Sequence, residues 1–175
     1  MILYPHPTDQ ASLDFKVQAE LVRETGLRLD FRVEGSIDRL EWAEEKPRWH
    51  ERLWEKSCLE AFVALPGHDA YWEWNFTPGG AWALFEFSKY RQRIAGARTD
   101  APRFRLEREA ATLVFSTRLP DPDSTLWRWA LATRTPVEFS LNAILRTADD
   151  VQHFALKHAG EKPDFHLREA FSGRV

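Results

Sequence analysis

Two carboxylates and an amide lie among aromatic residues between Cys58 and Trp82, where residues 71–82 read YWEWNFTPGGAW. Glu60, Glu73 and Asn75 could hydrogen-bond the hydroxyls of a polar ligand while Trp82 stacks on its ring. The same carboxylate pair could instead act as acid and base on a glycosidic bond. A second group, His153, His158, Asp164 and His166, lies toward the C-terminus. Its spacing matches no zinc signature, so a metal site would need a further carboxylate such as Glu60. One of these histidines could serve as an axial ligand to haem. Arg91 is placed to bridge a carboxylate or to grip an acidic ligand with both guanidinium arms, whereas Arg93 is expected to be solvated. Cys58 is the only cysteine, so no intramolecular disulfide forms. It has no basic neighbour at short range to make a thiolate, and is read as a small buried hydrophobe.

The elements that carry these groups are strands, because the dominant apolar period is two. Residues 13–21 put Leu13, Phe15, Val17, Ala19 and Leu21 on one face; residues 27–35 do the same with Leu27, Leu29, Phe31 and Val33. The loop between them ends at Gly26, a plausible hairpin. Further strands are expected at 58–65, 71–77, 81–87, 103–108, 112–119, 137–145 and 151–156. Residues 36–57 and 88–102 read as connections, and 125–136 is ambiguous between a helical turn and a strand. If it is a strand, Trp127 and Trp129 share a face. The tail from 157 is irregular or ends in a short helix. About nine strands with short turns and minor helix predict an all-β fold, an antiparallel β-sandwich occupying residues 1–175 as one domain.

Turn chemistry gives a register for the central strands. In TPGG (77–80), Pro78 suits the second turn position and Gly79 the third, with positive φ, so Thr77 pairs with Gly80 and Asn75 lies opposite Trp82. The loop PGHD (66–69) sets Glu60 opposite Asn75 and Phe62 opposite Glu73. One face then holds Trp72, Trp74, Phe76, Ala81, Ala83, Phe85 and Phe87 and is core. The other holds Glu60, Phe62, Tyr71, Glu73, Asn75, Trp82 and Leu84. That mixed face is either a solvated outer sheet with cross-strand pairs or a concave ligand face.

Hydrophobic residues make up 43% of the 175-residue chain and charged residues 29%, the balance of a globular protein. Aromatics reach 13%, with eight Trp and twelve Phe, which suits a β-rich core or an aromatic binding face. With a net charge of −3 and no basic stripe, no nucleic-acid partner is expected. No apolar run approaches a membrane span, and the N-terminus lacks the basic and apolar regions of a secretory signal, so a cytoplasmic setting is expected.

Residues 52–91 resemble the central block of bacterial DOMON-like domain proteins, relatives of the DOMON and family-nine carbohydrate-binding β-sandwiches. Leu53, Trp54, Glu55, Cys58, Glu60, Tyr71, Glu73, Asn75, Pro78, Trp82, Ala83, Tyr90 and Arg91 match the family pattern, while Ser57, Leu59 and Thr77 depart from it conservatively. Ala155, Leu156, His158, Lys162, Pro163, Asp164, Phe165 and His166 resemble its other block. The resemblance implies a sandwich fold whose relatives bind sugars or haem. Fold and residues together predict a non-catalytic module for a carbohydrate or related polar ligand, held by Glu60, Glu73, Asn75, Trp82 and Arg91, with His158, Asp164 and His166 as a second wall. The alternatives are a haem-binding domain, and a hydrolase using Glu60 with a His partner.

Overall fold

Alternation decides the first hairpin. Val17, Ala19 and Leu21 along Lys16–Arg23 (β2), and Leu27, Leu29, Phe31 and Val33 along Leu27–Glu34 (β3), are buried, and the residues between them are polar and turned toward solvent. The two strands pair in register from Lys16–Glu34 to Arg23–Leu27, as the sequence predicts. The computed structural model describes residues 1–9, 14–43, 46–97 and 99–175. Leu13, expected to open this strand face, lies outside the described residues, as do Glu44, Glu45 and Arg98 in the expected connections.

The other described strands are β1 (Ile2–Pro5), β4 (Cys58–Ala64), β5 (Tyr71–Phe76), β6 (Trp82–Lys89), β7 (Gln92–Ile94) and β8 (Phe104–Glu109). They continue with β9 (Thr112–Arg118), β10 (Glu138–Arg146), β11 (Val151–Ala155) and β12 (Gly173–Arg174). The strand order is β7-β6-β5-β4-β10-β11-β1-β2-β3-β9-β8, antiparallel throughout, with β12 against β10. β1 is the corner: Ile2 and Leu3 pair with β2, whereas Tyr4 and Pro5 pair with β11. The sheet therefore folds over on itself, and its two halves close on one apolar cluster in a sandwich-like arrangement. Leu29, Phe31, Val33 and Leu113 from one half meet Ala61, Val63, Trp72 and Trp74 from the other. The Phe76 and Phe115 rings, one from each half, lie 5.6 Å apart.

β1, β7 and β12 were not expected, because two to four residues are too short to show a period. The ambiguous segment 125–136 supplies a helix, α1 (Thr125–Ala132), whose Trp127 and Ala130 face inward at helical spacing while Trp129 is exposed. Trp127 closes the inner core by packing 5.1 Å from both Trp72 and Trp74. Its indole N–H donates to Asp121 Oδ1 at 2.9 Å.

The β4–β5 register is the one predicted, with Glu60 opposite Asn75 and Phe62 opposite Glu73. The β5–β6 register is not: Asn75 faces Ala83, and Trp82 faces Phe76. The reason lies in which glycine takes positive φ. Gly80 has φ +90°, whereas Gly79 is not left-handed. Gly80 N–H donates to Thr77 O, and Thr77 N–H donates across to Ala81 O. The loop is thus three residues long, a turn followed by a left-handed glycine, and Thr77 pairs with Ala81 rather than Gly80. One residue of slip inverts a strand. Trp82 and Leu84 join Trp72, Trp74 and Phe76 in the inner core, while Ala81, Ala83, Phe85 and Phe87 turn to the outer face.

Candidate functional site

The outer face of β4, β5 and β6 is polar at its centre and aromatic around it. Glu60 and Asn75 form one cross-strand row, and Phe62, Glu73 and Phe85 the next. The segment 163–166 folds over this face, and a cavity of about 480 Å³ remains between them. That volume suits a small ligand. Its floor is Glu60, Phe62, Glu73, Phe85 and Phe87; Trp54, Arg91, Arg93, Ile144, His153 and Pro163–His166 complete the lining.

Asp164 latches the covering segment. It accepts from the Tyr90 hydroxyl at 2.6 Å, from Arg91 Nη2 at 3.0 Å and from the His166 backbone N–H at 3.0 Å. Arg91 itself has φ +52°, a left-handed conformation that costs a non-glycine residue about 1 kcal/mol or more. That conformation lets its N–H donate to the Tyr71 hydroxyl at 3.1 Å. The same hydroxyl is hydrogen-bonded to His166 Nδ1, 2.7 Å away. The other ring nitrogen, His166 Nε2, lies 3.9 Å from Glu73 Oε2. Burial first, and then the Arg91 charge, hold His166 down to about 4, against the opposing pull of Asp164. Burial raises the Tyr71 phenol to about 12.

The two carboxylates are almost completely enclosed, Glu60 2% and Glu73 5% exposed. Glu73 accepts from Asn75 Nδ2 at 2.6 Å, and the Asn75 Oδ1 accepts from the Cys58 thiol at 3.5 Å. Burial raises Glu73 to about 7, although the Asn75 amide and the Arg91 and Arg93 charges favour its ionised form. Glu60 is pushed well above the usual carboxylate range, by burial and then by the Glu73 charge, with the Cys58 thiol working the other way. The Cys58 thiol is itself raised by burial and by the two carboxylates, which makes it inert rather than nucleophilic.

Five of the expected site residues, Glu60, Glu73, Arg91, Asp164 and His166, meet in this cavity. Asn75 sits behind Glu73, fully buried, and orients it. Trp82 is corrected: its ring belongs to the inner core, on the opposite side of the sheet, because of the three-residue loop. His158 also lies elsewhere. Its Nε2–H donates to Tyr4 O at 2.8 Å and its ring meets His6 edge-on at 4.7 Å, fastening the C-terminal segment to β1.

Phe85 and Phe87, read as core, line the cavity instead, and Trp54 packs edge-on to Phe85 at 5.6 Å. Arg93 is exposed, as expected, yet its guanidinium also lies 4.2 Å over the Phe85 ring and pairs with Glu51. The signal for it was present, since Arg91 and Arg93 are two residues apart entering a strand and share a side. His153 reaches the cavity wall while bonded to Asp9, its backbone N–H donating to Oδ2 at 2.6 Å. Among the described residues, no three His, Cys, Asp or Glu side chains converge as a metal cage.

No family model matches the chain, and no curated protein matches it. Among solved structures, the chain is similar to a Bacteroides uniformis protein named "putative carbohydrate-binding protein". The TM-score is 0.62 over 97% of this chain and 84% of that one, at 13% identity. At that identity the likeness is one of fold.

Proposed function

We propose that this chain is a carbohydrate-binding module of DOMON-like type, and that the outer-face cavity is its ligand site. One observation carries the reading: Glu60 and Glu73, buried acceptors, share a cavity of about 480 Å³ with the rings of Trp54, Phe62, Phe85 and Phe87. Sugars present hydroxyl donors at their edges and C–H faces above and below, and aromatic rings beside carboxylates answer both. The fold likeness to the Bacteroides uniformis protein supports it.

Calorimetric titration with a panel of mono- and disaccharides tests this. Binding by the wild type, weakened about tenfold or more in Phe85→Ala and unchanged in Trp129→Ala on the exposed face of α1, is the expected result. Absence of binding across the panel, or binding indifferent to Phe85→Ala, contradicts it.

A hydrolase is the second reading, favoured by the proton affinities of the pair. Glu73, raised to about 7, can exchange a proton near neutrality, and Glu60 lies on the adjacent strand in the same cavity. Chromogenic glycosides, with Glu60→Gln and Glu73→Gln as controls, separate turnover from binding alone.

A further inference from the structure

The charges around the cavity do not balance at its floor. Each cation in the lining already has a partner: Arg91 pairs with Asp164 at 3.0 Å and Arg93 with Glu51. His166 spends Nδ1 on Tyr71, and His153 is bonded to Asp9. Glu73 feels Arg91 and Arg93 only at a distance, and its one close donor is the neutral Asn75 amide. Glu60 has less still. It is 2% exposed, faces the cavity, and among the described residues no Lys, Arg or His pairs with it; its polar neighbours, the Cys58 thiol and the Asn75 and Asn142 amides opposite it on the two flanking strands, are all neutral.

Buried carboxylates without a cation carry a large desolvation cost, which is relieved by protonation or by an incoming positive charge. The surroundings suit the second. Phe62, Phe85 and Trp54 bound the same space, and aromatic rings around carboxylates are the usual setting for an ammonium group. An anionic ligand would find both arginines engaged and two carboxylates opposing it.

Resting on the carbohydrate reading, we propose that the ligand is a sugar bearing a protonated amine, with its ammonium seated between Glu60 and Glu73. The sugar ring then lies against Phe85 and Trp54, and the amine supplies the donors that the two carboxylates lack. Protons compete with the ammonium for the same oxygens. Cys58, Asp164, His166, His153, Arg91, Arg93 and Tyr71 are the other titratable or charged groups facing the pair. Of these, His166 at about 4 stays neutral, and Tyr71 at about 12 stays protonated, across the range used below.

The test is isothermal titration calorimetry with glucose, galactose and mannose, with their 6-amino-6-deoxy counterparts, and with ethanolamine as an amine without a ring. The expected result is an amino sugar bound at least tenfold more tightly than its neutral parent at pH 8. Because Glu73 must be ionised, that affinity falls about tenfold by pH 6. At pH 6 binding releases protons, so the apparent heat depends on the buffer. In Glu60→Gln the amino sugar loses its advantage over the neutral parent. If amino and neutral sugars bind alike, the amine inference is overturned and the carbohydrate reading stands. If ethanolamine binds as tightly as any amino sugar and no neutral sugar binds, the carbohydrate reading falls and the ammonium site stands. If no probe binds, both are overturned.

Discussion

On the inner face of β5, Trp72 and Trp74 are fully buried against Trp127 and a second half-sheet. One residue away, on the outer face, Glu73 meets Asn75, a neutral histidine and an open cavity. Both faces are buried, yet only one is finished by its own chain. The inner face closes with matched apolar surface. The outer face buries two carboxylates with no Lys or Arg paired directly to either among the described residues, and burial raises their proton affinity. A sheet can thus be covered on both sides in different ways: one side closed by the chain's own apolar surface, the other left with a cavity.

The largest difference between the faces is expected on truncation. Trp74→Ala removes an indole packed on Trp127 and hydrogen-bonded to Pro120 O, and should destabilise the protein by about 3–5 kcal/mol in urea unfolding. Glu73→Gln, one residue away, should do the reverse at alkaline pH. The folded carboxyl is raised from 4.5 to about 7, so its contribution favours folding below 4.5 and is lost as pH rises through 7. The variant should therefore match the wild type at pH 4 and exceed it by about 3 kcal/mol at pH 8. Equal stability of both proteins at pH 8 would mean that Glu73 is solvated.

The loop that assigns Trp82 to one face and Phe85 to the other is tested by Gly80→Ala. Positive φ disfavours a side chain there, and the new Cβ would come within 2.4 Å of the Phe104 ring. A loss of about 1–3 kcal/mol on thermal unfolding is expected. Arg91→Ala should be the mildest in stability, about 1 kcal/mol or less, because the ion pair with Asp164 is half exposed on the arginine side. It should still raise the His166 pKa, followed by NMR, since the Arg91 charge helps hold that imidazole neutral.

The same contrast explains what could be read from residues alone. In β2 and β3 one face is buried and the other solvated, so alternation shows both strands and their pairing. In β4 and β5 every residue is buried, so polarity no longer tells the faces apart and the assignment hangs on counting loop residues. The 66–69 loop has the length its turn residues indicate, which puts Glu60 and Glu73 on one face. The 77–80 loop is one residue longer than its turn residues indicate, which exchanges Trp82 for Phe85 and Phe87. The sequence TPGG offers two glycines, and only the three-dimensional fit beside Phe104 selects the second. Segment 163–166 has no period at all. Asp164 and His166 were legible as residue types suited to a site, but the Tyr71, Tyr90 and Arg91 contacts that seat them come from distant parts of the chain.

The most direct test of the outer face as the ligand site is a titration of uniformly 15N-labelled protein with a bound sugar, followed by amide chemical shifts. Perturbations concentrated at Glu60, Phe62, Glu73, Phe85, Arg93 and 164–166, with β3 and β9 silent, are the predicted result. Perturbations centred on the β8–β9 hairpin, or on α1, would place the site elsewhere and contradict it.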